Sequence, residues 1–165
     1  MPAVNSLREL LVEELRDIYD AEKRLTKALP KISKASSHDE LKSAIDAHLE
    51  ETREHVTRLE QAFDALDTPA RAKTCAAMKG LIEEGDEDAG EDYADEGLKD
   101  AAIIGSAQRV EHYEIAGYGC ARTFAQQLGH DKVAAMLQET LDEEKAADEK
   151  LTEIALQSVN EAAEV

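Results

Sequence analysis

Four long stretches of this chain place their apolar residues three and four positions apart, and each sets an acid in or beside that apolar row. Such spacing makes one face of a helix apolar, so four helices must bury their faces against one another. In the first stretch, residues 6–35, the row is Leu7, Leu11, Leu15, Ile18, Leu25, Leu29 and Ile32, and its one long gap falls at Glu22. Pro30 lies inside the pattern, which predicts a kink or an early end there. The second stretch, residues 38–66, carries Leu41, Ile45, His48, Thr52, His55, Leu59, Ala62 and Leu66, with Glu51 beside the row. Ser37, with Glu40 three residues on, reads as a capping box at its start.

The third stretch, residues 98–128, is marked by Ile104, Ala107, Glu111, Glu114, Tyr118, Ala121, Ala125 and Leu128, and Gly129 ends it. The fourth, residues 131–159, carries Val133, Leu137, Thr140, Glu144, Asp148, Leu151, Ala155 and Ser158. The sequence stops soon after, which leaves no room for a substantial fifth helix there. Short turns join the first pair and the last pair. The middle link, residues 67–97, is punctuated by Pro69, Gly80, Gly85, Gly90 and Gly97, and holds one expected short helix over residues 74–84. A link of that length suits a crossover travelling the length of a bundle. The expected architecture is all-α: a single ferritin-like four-helix domain, two antiparallel hairpins joined by a long crossover.

Composition agrees with one helical domain: hydrophobic residues make up 42% and aromatics only 4% of 165 residues. A net charge of −18 without a basic patch argues against a grip on nucleic-acid phosphates. No apolar run is long enough to span a membrane, and residues 1–11 lack the pattern of a signal peptide. Cys75 and Cys120 match no metal or redox spacing, so a cytoplasmic protein with reduced thiols is expected.

The acids are where the chemistry lies. Glu22 and Glu51 each fall about 15 residues from the first turn, and Glu114 and Glu144 about 15 from the second. At the helical rise, all four then meet ~22 Å from the turns, near the middle of the bundle. Asp and Glu number 37 of 165 residues, so one acid in a seam would mean little and could reach out to solvent. Four at one level inside an apolar core need protons or counterions, and two divalent cations neutralise four carboxylates. His48, Glu111 and Asp148 are each displaced one turn toward the same end, which adds them to the candidate metal ligands. His55 competes with His48 as the nitrogen donor; it lies one turn the other way, where no acid other than neighbours such as Glu54 is expected to face it. His38, His112 and His130 read as structural. Tyr19, Tyr113 and Tyr118 could tune such a site, although packing explains them as well. Carboxylate-rich ligation with one imidazole favours iron, with manganese as the alternative, over zinc or copper.

Six stretches carry a resemblance: Tyr19-Asp20-Ala21-Glu22-Lys23, Lys27-Ala28-Leu29-Pro30-Lys31, His48-Leu49-Glu50-Glu51-Thr52, Gly80-Leu81-Ile82-Glu83-Glu84, Glu111-His112-Tyr113-Glu114-Ile115-Ala116, and Leu141-Asp142-Glu143-Glu144-Lys145 with Asp148. They span nearly the whole chain, which resembles the YciE/YciF family of ferritin-like bacterial stress proteins. The resemblance implies a ferritin-like bundle, often dimeric, linked to stress responses. It also implies a site pattern of Glu22, His48, Glu51, Glu111, Glu114, Glu144 and Asp148. The expected function is redox chemistry with dioxygen or peroxide at a dinuclear metal site. Iron storage and a non-catalytic metal-binding or partner-binding module are the alternatives.

Overall fold

In a computed structural model, which describes residues 4–163, every regular element is helical. The elements are α1 (Leu7–Ala35), α2 (Asp39–Ala65), α3 (Ala76–Gly90), α4 (Glu96–Gln127) and α5 (Asp131–Ile154). A π turn, Ala155–Val159, and the short α6, Asn160–Ala162, continue α5 past the expected end.

Local chemistry fixes most of the boundaries. The Ser6 hydroxyl accepts from the Glu9 amide at 3.1 Å and the Asp95 carboxylate from the Leu98 amide at 2.9 Å, each at the first turn of its helix. Gly129, at φ 75°, takes the left-handed conformation that ends α4 and lets α5 turn back. Three sequence expectations change. The Ser37 capping box does not form; α2 starts at Asp39, and its entrance is held from another helix. The buried Asp100 of α4 accepts from the amides of Ser37 and His38, both at 2.9 Å. Pro30 does not end α1, which continues to Ala35 because Leu29, Ile32 and Ala35 pack against the core around Leu41 and Ile45. The short crossover helix is α3, longer than expected: it runs through the acidic stretch to Gly90, with Met78 and Gly85 buried and the acids of its outer side facing water.

The packing follows from the seams. α1 lies against α2 and α4, and α5 lies against the same two, so the four long helices enclose one core. The crossover helix α3 lies outside, across α1 and α4. The irregular run before α3 is tied along α1 by the Lys73 amide, which donates to the Arg16 carbonyl, and by the Cys75 amide, which donates to Asp20. Apolar side chains concentrate at the two ends of the core. One cluster holds Leu11, Leu15, Leu59, Phe63, Ala125, Val133 and Leu137; the other holds Leu41, Ile45, Ile103, Ile104, Leu151 and Ile154. Between them the core turns polar.

Candidate metal centre

Each long helix contributes to that polar layer. α1 supplies Glu22, α2 supplies His48 and His55, α4 supplies Glu111, Glu114 and Tyr118, and α5 supplies Glu144. All seven side chains are buried, with residue exposures from 0% to 7%. His48 and His55 fall two turns apart on one face of α2, so both rings point inward from the same stripe.

The ligand atoms gather in two groups. His48, Glu111, Glu114 and Glu144 form one, and Glu22, His55 and Glu144 form the other; within each, the candidate donor atoms lie within 4.8 Å of one another. Glu144 belongs to both. His48 Nε2 stands 3.3 Å from Glu111 Oε1 and 3.7 Å from Glu144 Oε2. His55 Nδ1 stands 3.0 Å from Glu144 Oε1 and 3.3 Å from Glu22 Oε1.

The outer nitrogen of each ring is engaged by a carboxylate that faces away from the core. Glu143 Oε2 lies 2.9 Å from His55 Nε2 and is itself held by Arg58, at 2.7 Å. Glu51 Oε2 lies 3.4 Å from His48 Nδ1. A proton on the outer nitrogen, given to the carboxylate, leaves the inner nitrogen with its lone pair aimed at the cluster. Carboxylates orient metal-bound imidazoles in the same way. Tyr118 donates its hydroxyl to Glu22 and packs edge-on against His55.

The inner atoms lack partners of good geometry. Glu22 Oε2, His48 Nε2, His55 Nδ1, Glu111 Oε2 and both oxygens of Glu114 and of Glu144 are buried without a hydrogen bond. Buried polar groups are ordinarily satisfied, and a concentration of orphaned acceptors at one level is costly unless a cation meets them. Left to itself, the cluster must balance its charge with protons. Burial, then the charge of Glu144 for Glu111 and of Glu22 for Glu114, pushes both carboxyls well above the usual range. Burial also raises Glu22, partly offset by His55. For His55, burial works downward but is outweighed by Glu144 and Glu22, which push the imidazole up to about 10. His48 is raised likewise against burial, by Glu51 and Glu144. Glu144 is held low despite its burial, because His55 and His48 flank it.

Of the residues singled out from the sequence, the structure brings Glu22, His48, Glu111, Glu114 and Glu144 together. Glu51 is not inside the core: its side chain is 48% exposed, at the outer side of His48. Asp148 also lies outside, partly buried, with Oδ2 3.2 Å from His112 Nε2 and Oδ1 accepting from Gln108. Both sit at the edge of their helical stripe. His55, set second to His48, stands in the cluster beside it: Glu144 and Glu22 face its inner nitrogen, and its outer nitrogen meets Glu143, whose place one residue from Glu144 gave no seam signal. Arg58 and Thr140 were also missed; Arg58 donates to the Thr140 hydroxyl at 2.6 Å and so joins α2 to α5 behind His55. Tyr19 and Tyr113 turn away from the cluster, to Glu60 and to Asp17 with Cys75. His38 and His130 stand at the starts of α2 and α5.

Two cavities reach this layer. One, of about 520 Å³, opens between α2 and α5 and is lined by His48, Glu51 and Glu111 together with small residues such as Ala47 and Ala147. The other, of about 50 Å³, lies among α1, α3 and α4, is nearly all aliphatic, and ends at Glu111. Among the described residues, no helix is long and apolar enough to cross a membrane.

Residues 6–164 match the model of a family described as Domain of unknown function (DUF892), and the chain belongs to that family. It is 44% identical to Protein YciF of Escherichia coli strain K12 over 162 residues, 98% of this chain and 97% of the relative. The crystal structure of the E. coli stress protein YciF superposes with a TM-score of 0.91, over 95% of this chain and 99% of that one. YcfI of Rhodopseudomonas palustris, 45% identical, gives a TM-score of 0.88 over 92% and 96% of the two chains. The family resemblance read from the six sequence stretches is therefore upheld.

Proposed function

We propose that this member of the DUF892 family is a ferritin-like four-helix bundle holding two divalent cations at mid-core, iron first and manganese second, for redox chemistry with dioxygen or peroxide. The observation that carries the reading is the pair of ligand groups sharing Glu144, with their inner oxygens and nitrogens buried and unpartnered. His48, Glu111, Glu114 and Glu144 would hold one cation, and Glu22, His55 and Glu144 the other. Four carboxylates and two imidazoles make a hard, oxygen-rich donor set of the kind iron(II) and manganese(II) prefer. A pair of such ions supplies two electrons, one from each, to an oxygen-containing oxidant.

The chain's own residues do the rest. The apolar layers on either side exclude water from the cluster along the helix axes. Glu143, locked by Arg58, fixes the His55 ring so that Nδ1 faces inward. Burial and their acidic neighbours raise the carboxyls of Glu111 and Glu114 while the core is free of metal, so a cation that binds there displaces their protons. Tyr118 donates its hydroxyl to Glu22 and so fixes that carboxylate. All of these groups come from one chain.

The test is hydrogen peroxide consumption by iron- or manganese-loaded protein with ascorbate as reductant, compared with Glu144→Ala. Turnover lost in the variant supports the reading. Equal rates in both proteins, or none in either despite full loading, would overturn the redox part of it.

A further inference from the structure

The cavity of about 520 Å³ between α2 and α5 is the wide way into the polar layer. Its walls mix alanines such as Ala47 and Ala147 with Leu29, Ile45 and Leu151, and the acids nearer its mouth, Asp39, Glu40, Glu51 and Glu143, outnumber its one lysine, Lys150. The Lys150 ammonium is directed to Glu153, at 3.5 Å. At the inner end stand His48 and Glu111, 7% and 3% exposed, each with an inner atom, Nε2 and Oε2, that has no hydrogen-bond partner. Glu51 stands between the two ends: its carboxylate is open to water yet touches His48 Nδ1 at 3.4 Å. From there His48 Nε2 leads on to Glu111 at 3.3 Å and Glu144 at 3.7 Å.

We propose that this cleft is the port through which divalent cations reach the buried centre, and that Glu51 is their receiving carboxylate rather than a resident ligand. The inference rests on the two-cation reading above. A hydrated cation sheds water only where other oxygens replace it, and the aliphatic ends of the core offer none. Glu51, His48 and Glu111 form a short succession of donors from solvent to centre, each within about 4 Å of the next. Removing a port charge changes the barrier and not the two end states. Binding and release should then slow together and leave the affinity unchanged.

The experiment follows cobalt(II) uptake by metal-free protein in a stopped-flow spectrometer, with equilibrium stoichiometry measured by dialysis. Glu51→Gln keeps an oxygen for the His48 ring and removes the charge; Glu51→Ala removes both. Ala47→Phe narrows the cleft from an exposed position, and far-UV circular dichroism checks its fold. Uptake roughly tenfold slower is expected in Glu51→Gln and Glu51→Ala, which lose a charge that concentrates cations, and in Ala47→Phe, which narrows the cleft, with two ions bound at equilibrium and an unchanged Kd in Glu51→Gln and Ala47→Phe. Full-speed uptake in Glu51→Gln with slow uptake in Glu51→Ala would make Glu51 only an orienting group for His48, overturning the port. Loss of a bound ion in Glu51→Gln would make it a resident ligand and also overturn it. Wild-type protein that takes up no cobalt would instead sink the two-cation reading itself.

Discussion

Glu114→Met separates a carboxylate kept for a cation from one kept for the fold, because its effect should change sign with metal. Glu114 is 1% exposed, both of its oxygens lack partners, and its neighbours Glu22, Glu144 and Glu111 all oppose its ionisation. Methionine is close in volume and has no acceptor to strand. Without metal, the substitution removes a desolvated group whose ionisation Glu22, Glu144 and Glu111 oppose. Replacing unsatisfied buried ionisable groups by apolar ones of similar size gains about 1–4 kcal/mol. For a chain of this size that raises Tm by roughly 5 °C. With metal in solution at about 1,000-fold above Kd, a lost cation costs about 4.1 kcal/mol, more than that gain, so the variant should fall below the wild type. Thermal unfolding followed by circular dichroism, in chelator and then in excess manganese(II), reads both signs. A metal-free variant less stable than metal-free wild type by more than about 1 kcal/mol would refute the reasoning, since an unpartnered carboxyl would then be supporting the fold unaided.

The pH dependence of the metal-free protein should be set by its raised carboxyls. Groups raised in the folded state, as Glu111 and Glu114 are, give stability that is present below the ordinary carboxylate pKa and lost as pH climbs through the raised value. The contribution of His55 is full below about 6.5 and is lost progressively as pH rises from there through its folded value of about 10. Tm should therefore fall from pH 5 to pH 8 in chelator, and Glu111→Gln with Glu114→Gln should flatten that slope; an unchanged slope would contradict the assignment. Asp100→Ala removes the acceptor for two amides at the start of α2 and should cost about 2 kcal/mol in urea unfolding, with metal stoichiometry untouched. Tyr118→Phe should cost about 1–3 kcal/mol by stripping the hydroxyl from Glu22, and should leave both cations bound.

The four long helices and most of the centre were legible because burial writes itself into spacing. Glu22 stood in a gap of an apolar row, and Glu111, Glu114 and Glu144 stood in rows that had to face inward. His55 was in its row as well, and was set second because it lies one turn away from the side that His48, Glu111 and Asp148 share, and because its outer partner acid gave no signal. Glu143 reaches it across the bundle from a chain position 88 residues away, and no periodicity on either helix encodes that contact. Glu51 and Asp148 went the other way. Each lies at the margin of its stripe, where the turn of the helix brings a long side chain within reach of solvent and a ring nitrogen alike. Asp100 escaped notice because a cap read from sequence comes from neighbouring residues, whereas this one comes from α4, brought close only by the fold.

The most direct test of the central claim is an anomalous-difference map from crystals of protein loaded anaerobically with iron(II) or manganese(II). Two peaks are expected in the core of each chain, one among His48, Glu111, Glu114 and Glu144 and the other among Glu22, His55 and Glu144, with Glu144 reaching both. Loaded crystals with no peak at mid-core, or with metal only among the surface acids, would contradict the account.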